Sequence, residues 1–183
     1  MCGIVGLYNF PARPELLPAM LASIAHRGPD AEGVYRTQAG GADVALGHRR
    51  LSIIDLSDAA NQPFEKDGLV IVFNGEIYNY KSLARELTAA GVSFRTSSDT
   101  EVLLEAWRKW GPGCLNRLRG MFAFALLDRR TGRMALARDP FGIKPLFFAR
   151  RNGGLAFASE LKAISIGQKP SPCRLRRRGT IFS

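Results

Sequence analysis

Apolar and polar positions divide the chain into short stretches of two periods. Residues 1–9, Met1-Cys-Gly-Ile-Val-Gly-Leu-Tyr-Asn9, are nearly all apolar and end at Asn9-Phe10-Pro11, as a buried strand meeting a turn does. In residues 15–25, Leu16, Leu17, Met20, Leu21 and Ile24 recur at helical spacing. His26-Arg-Gly-Pro-Asp30 then breaks the helix and reads as a loop. Residues 44–48 and 69–73 have the composition of strands. Residues 80–90 form a helical pattern stopped by Gly91, a glycine at the C′ position. Ser98-Asp-Thr-Glu101 is a capping-box pattern ahead of Val102, Leu103, Leu104, Ala106 and Trp107, and this second helix stops near Gly111-Pro112. Residues 121–127, 134–137, 146–149 and 155–158 are apolar segments separated by turns, which predicts successive antiparallel strands.

The predicted order is strand, helix, several strands, two helices, several strands. A parallel sheet with crossover helices would alternate instead. The pattern therefore predicts an α+β fold of antiparallel sheets with helices packed outside. No internal repeat is visible. The 183 residues suit one domain and bury a substantial core. The longest apolar stretch is residues 121–127, well short of the run of about 18 that a membrane helix needs. The N-terminus has no basic segment followed by a long apolar one, so no secretory signal is read there.

The three cysteines, Cys2, Cys114 and Cys173, are scattered, odd in number and lack a Cys-x-x-Cys pair, so neither a zinc nor a redox motif is present. A thiol that must stay free fits a reducing cytoplasm, which is the expected location. The net charge of +10 raises nucleic-acid binding as a function. Its distribution argues against that: Lys169, Arg174, Arg176, Arg177 and Arg178 carry five of the ten charges in a stretch without acids. The domain is read as residues 1–166 and residues 167–183 as a basic, disordered tail, because the tail lacks periodicity and holds Pro170 and Pro172.

Cys2 is the candidate nucleophile. If Met1 is removed, one residue carries both a thiol, of pKa about 8.5, and an α-amine, of pKa about 7.7–8.0. The amine can take the thiol proton, which gives an activated nucleophile with its own base. With Met1 attached, the base is an amide nitrogen and the chain should be inactive. The alternative is a small buried residue opening a strand. Asn74-Gly75 offers a side-chain amide and a backbone N–H for an oxyanion hole. It is also an ordinary hairpin turn signal after a strand. Arg50 suits the bidentate clamping of a free α-carboxylate, or is a solvated surface residue. Glu76 and Asp99 offer carboxylates for an α-ammonium, yet Asp99 also fits the first turn of a helix for its dipole alone, and Glu76 fits a surface. If these groups converge, they bind a zwitterionic amino acid whose side chain carries a carbonyl, a description that glutamine meets.

Seven segments in order carry a family resemblance: Met1-Cys-Gly-Ile-Val-Gly6, His26-Arg-Gly-Pro-Asp30, Arg50-Leu-Ser-Ile-Ile-Asp55, Phe73-Asn-Gly-Glu-Ile-Tyr-Asn79, Ser98-Asp-Thr-Glu101, Arg138-Asp-Pro-Phe-Gly-Ile-Lys-Pro-Leu146 and Ala158-Ser-Glu-Leu-Lys162. On these the chain resembles the class II glutamine amidotransferase domain, an N-terminal-nucleophile hydrolase. Within it, the chain resembles the N-terminal half of glutamine-hydrolysing asparagine synthetase. The resemblance implies a four-layer αββα sandwich of two antiparallel sheets. It implies Cys2 as nucleophile, Asn74 and Gly75 as the oxyanion hole, Arg50 on the glutamine carboxylate, Glu76 and Asp99 near its amino group, and Leu51, Ser52, Ile53 and Ile54 lining the site. Glutamine would become glutamate and ammonia through a γ-glutamyl thioester, with no metal or organic cofactor. ATP would belong to a synthetase half, whose Ser-Gly-Gly-x-Asp-Ser phosphate loop this sequence does not contain. Expected partners are L-glutamine and either a synthetase chain or a second copy in a homodimer, with no membrane and no nucleic acid. The competing expectation is a non-catalytic truncated remnant, or an interaction module that docks on a separate synthetase chain, the unusual tail coming from a frameshift, a gene split or truncation.

Overall fold

The computed structural model describes residues 1–10, 14–51 and 61–166 and the backbone of residues 181–182. Among these, ten strands form two five-stranded sheets in which every pairing is antiparallel. One sheet contains β1 (Gly3–Tyr8), β2 (Ala31–Ala39), β3 (Ala42–Arg50), β8 (Phe147–Arg151) and β9 (Gly154–Ala158), in the order β2-β3-β1-β9-β8. The other contains β4 (Phe64–Lys66), β5 (Leu69–Ile77), β6 (Gly120–Asp128), β7 (Met134–Arg138) and β10 (Ile181–Phe182), in the order β10-β7-β6-β5-β4.

Alternation along each strand builds the layers. In β1, Ile4 joins a core between the sheets, while Val5 and Leu7 join the core under α1 (Leu16–Ser23) and α4 (Leu161–Ser165). In β5, Val70 and Val72 face the middle core, while Ile71 and Phe73 face α2 (Tyr80–Ala89) and α3 (Asp99–Trp110). β6 repeats this with Ala123, Ala125 and Leu127 inward and Phe122, Phe124 and Leu126 outward. Both faces of the central strands are therefore buried, which is why their sequences read as continuous apolar runs rather than as alternations. The result is helices, sheet, sheet, helices: the expected αββα sandwich.

The helix ends follow their local signals. Gly91 has φ +88°, and the bonds Gly91 N–H to Thr88 O (2.9 Å) and Val92 N–H to Leu87 O (3.0 Å) close α2 in a Schellman motif. At α3 the Ser98 hydroxyl accepts from Glu101 N–H at 3.2 Å, but only this half of the capping box forms. The buried Glu101 carboxylate instead accepts from the N–H groups of Arg95 and Thr96 and pairs with the buried Lys66 ammonium at 2.8 Å. Together these bonds lock α3 to β4.

Several elements differ from expectation. β2 carries no apolar run, because it is an edge strand with half-covered side chains. β3 and β5 extend beyond the predicted strands to Arg50 and Ile77. Asn74-Gly75 is consequently not a turn but lies inside β5, opposite Ala123 and Phe122. The backbone of Ile181 and Phe182, in the stretch read as a tail without structure, pairs with Leu136 and Ala135 of β7. Among the described residues no helix is long and apolar enough to cross a membrane.

Candidate functional site

Cys2 stands immediately before β1, whose first ladder pair is Gly3 with Arg49 at the end of β3. That register brings the nucleophile candidate beside Arg50 and Leu51. The Cys2 thiol lies 3.5 Å from Leu51 O and 3.4 Å from Leu51 N. On the opposite side β9 stops pairing at Val5 with Ala158, one residue short of Ile4. At Ile4 one backbone bond persists, Ser159 N–H to Ile4 O at 2.8 Å, and side chains supply the rest. Ser159 Oγ accepts from Ile4 N–H at 2.9 Å, and Arg27 Nε donates to Cys2 O at 3.1 Å. Glu160 holds Arg27 at 3.0 Å and also takes His26 at 2.8 Å and Lys162 at 3.1 Å. Partial burial opposes ionisation of Glu160, but these three donors outweigh it and hold its carboxyl at about 2.

Gly28 explains the His26-Arg-Gly-Pro-Asp30 segment. A Cβ there would stand 2.5–2.6 Å from backbone atoms of Arg49 and Arg50, so only glycine lets this loop lie against β3. Asp30 N–H then donates to Arg50 O at 3.1 Å.

The second sheet supplies the facing wall. Asn74 is 1% exposed, and among the described residues its side-chain nitrogen has no hydrogen-bond partner. A buried, unpaired donor of this kind costs about 1–3 kcal/mol, so it calls for an explanation. Gly75 admits no side chain, because a Cβ would lie 2.4 Å from Met121 O and 2.8 Å from Phe122 Cα. Asp99, at the start of α3, accepts from Ile77 N–H at 3.0 Å. Burial, against that hydrogen bond and reinforced by the charge of Glu76, pushes its carboxyl up to about 6.

Cys2, Arg50, Leu51, Asn74, Gly75, Glu76 and Asp99 line one cleft between the sheets. All the candidate residues that fall among the described ones thus converge; Ser52, Ile53 and Ile54 lie outside them. Arg50 is buried and its guanidinium bonds the Asn61 side chain, so it is not a solvated surface residue. The cleft offers a thiol, a buried amide donor, a guanidinium and two carboxylates, a set matched to an amino-acid zwitterion with a side-chain carbonyl.

Sequence reasoning missed three lining groups. His48 is buried with Nε2 3.2 Å from Phe73 O, and burial, with Arg50 adding to it, pushes its imidazole down to about 4, so it stays neutral near pH 7. Gln62 accepts from Phe73 N–H at 2.6 Å and donates to Thr100 Oγ1 at 3.2 Å, bracing the strand that carries Asn74. Lys144 is buried in the cleft wall. Its only sequence signal was membership of the Arg138–Leu146 segment, which does not say where the side chain goes.

Comparison with known proteins agrees with this geometry. A family model described as a glutamine amidotransferase domain matches residues 1–174. The chain is 43% identical over 176 residues to asparagine synthetase [glutamine-hydrolyzing] 1 of Bacillus subtilis, covering 92% of this chain and 27% of that protein. It is 45% identical over 181 residues to a putative asparagine synthetase [glutamine-hydrolyzing] of Mycobacterium bovis, covering 90% of this chain and 28% of the relative. The chain thus spans little more than a quarter of the length of these relatives. Among solved structures, the glutamine phosphoribosylpyrophosphate amidotransferase of B. subtilis superposes with a TM-score of 0.75 at 25% identity, over 90% of this chain and 43% of that one. Fold, cleft and family match converge on one assignment: the chain belongs to the glutamine amidotransferase domain family.

Proposed function

We propose that this domain hydrolyses glutamine to glutamate and ammonia once Met1 is removed. The freed α-amine of Cys2 takes the thiol proton, and the sulfur attacks the γ-carbonyl carbon. Asn74 Nδ2 and Gly75 N–H receive the oxyanion, each such donor contributing about 3–4 kcal/mol in comparable sites. The C–N bond then breaks, and ammonia leaves with the proton the amine had taken. Water hydrolyses the thioester to release glutamate and restore the thiol. Arg50 holds the α-carboxylate, and Glu76 and Asp99 hold the α-ammonium, whose charge favours the ionised form of Asp99. Ammonia passes to an acceptor activated by a synthetase unit, the activity for which the relatives are named, with asparagine as the product of the whole system.

The observation that carries this reading is the buried Asn74 amide. Its nitrogen has no partner among the described residues, it lines the cleft that holds Cys2, and an oxyanion would satisfy it. The test is intact mass together with glutamate release. Chains that have lost Met1 should release glutamate and Cys2→Ala chains should not; release from Cys2→Ala would refute the mechanism.

A docking module that needs no catalysis is the second reading, favoured by Phe141 and Ile143, which stand 87% and 56% exposed in one short loop. Size-exclusion analysis with a candidate synthetase chain tests it, and the absence of a complex at micromolar concentration would count against it.

A further inference from the structure

Residues 139–146 form the crossover from β7 in one sheet to β8 in the other, at the end of the sandwich where the cleft opens. Two side chains pin this loop from within. Asp139 accepts from Ile143 N–H at 2.9 Å, Lys144 N–H at 3.0 Å and Phe122 N–H at 3.3 Å. Arg138 donates to Gly142 O at 2.5 Å and Lys144 O at 2.6 Å. The backbone of Lys144 is thus fixed through one carboxylate oxygen to Phe122, which is the register partner of Gly75. Phe141 and Ile143 point to solvent, whereas Lys144 is 7% exposed and lines the cleft.

The Lys144 stem is buried, but its ammonium is not among the buried polar atoms that lack a partner, so it opens onto the cleft. Among the described residues no carboxylate lies within ion-pair distance of Lys144, and its ammonium has no hydrogen-bond acceptor. A rigid loop therefore presents a cation to the cleft with no carboxylate beside it, which suits an anionic ligand group. The strand order says which end of the ligand it meets. Arg50 enters from β3, on one side of β1, and contacts Asn61, which precedes β4. Lys144 enters from the β7–β8 crossover, on the other side of β1 and the far side of β6 from β4. The two cations thus approach from opposite walls and do not share one carboxylate.

We infer that Lys144 is a substrate-contacting residue that reads the γ end of the ligand, binding the anionic oxygens of the tetrahedral intermediate and of the product γ-carboxylate. This rests on the glutaminase reading and on Arg50 taking the α-carboxylate. Glutamate, with a charged γ end, must then depend on Lys144 far more than glutamine, whose γ end is neutral.

The test is calorimetric titration of L-glutamate and of L-glutamine into Met1-free Cys2→Ala chain, which cannot turn glutamine over, with and without Lys144→Met. The expected result is glutamate affinity weakened about 10- to 100-fold, as for loss of a charged hydrogen bond, with glutamine affinity changed less than about threefold. Lys144→Arg keeps the charge and should keep most of the glutamate affinity, with melting curves showing that both variants fold. Equal weakening of both ligands would place Lys144 at the α-carboxylate or in a structural role and overturn the inference, as would no change in either. If neither ligand binds the Lys144-bearing chain, the glutaminase reading itself fails and the inference falls with it.

Discussion

Replacing Asn74 by alanine separates what the fold needs from what the chemistry needs. The Asn74 amide is buried without a partner, so its removal relieves a cost of about 1–3 kcal/mol. Truncation leaves a void that costs on the order of 1 kcal/mol. The two nearly cancel. At about 2–4 °C per kcal/mol for a chain of this size, the melting temperature should move by less than about 5 °C in either direction. Activity should respond quite differently. Loss of one oxyanion donor removes about 3–4 kcal/mol from the transition state, or about 10²–10³-fold in kcat, with KM little changed because the donor acts on developing charge. The assay is glutamate release by Met1-free protein over a range of glutamine concentrations, paired with thermal unfolding. A variant that keeps glutamate release within about threefold would refute the role given to this amide. A variant that melts more than about 10 °C lower would show that the side chain holds the fold and that its lack of a partner carries no functional meaning.

Three further outcomes follow from the same geometry. Gly75→Ala should lose both stability and activity, since its Cβ would meet Met121 O at 2.4 Å and Phe122 Cα at 2.8 Å and the strands must part; unfolding and glutamate release read this together. Asp99 is raised from an unfolded value near 3.8 to about 6, so its contribution to stability is fully present below pH 3.8 and is lost as pH rises through about 6. Asp99→Asn removes that dependence, on the order of 3 kcal/mol, so urea unfolding should show the variant gaining most against the parent at pH 7 and least at pH 4, while the parent's KM for glutamine rises below pH 6 as the carboxylate protonates. Glu101→Gln leaves the buried Lys66 ammonium with Glu105 at 3.0 Å as its remaining carboxylate and should cost about 1.5–3 kcal/mol in denaturant unfolding, as for loss of a charged hydrogen bond, while adding Lys66→Met should recover little because Glu105 then loses that ammonium.

The sequence by itself determined the nucleophile candidate, because covalent order alone places Cys2 next to Met1, whose removal would give the thiol its own amine. It also determined the helix ends at Ser98 and Gly91, where capping is local, and the central strands, whose double-sided burial demands continuous apolar runs. Tertiary structure alone decided the rest. The edge strand β2 and the short β4 are held by pairing with neighbours, which leaves little trace in their own residues. Asn74-Gly75 has the composition of a turn and became strand because β6 lies alongside and leaves no room for a side chain at Gly75. Glu101, expected to complete a capping box, was drawn to Lys66 by a contact across 35 residues that no local pattern encodes. The convergence of Cys2, Arg50, Asn74 and Asp99 likewise depends on register between strands far apart in the chain. So does the position of Lys144, whose meaning comes from a loop tied by Asp139 to a strand of the facing sheet.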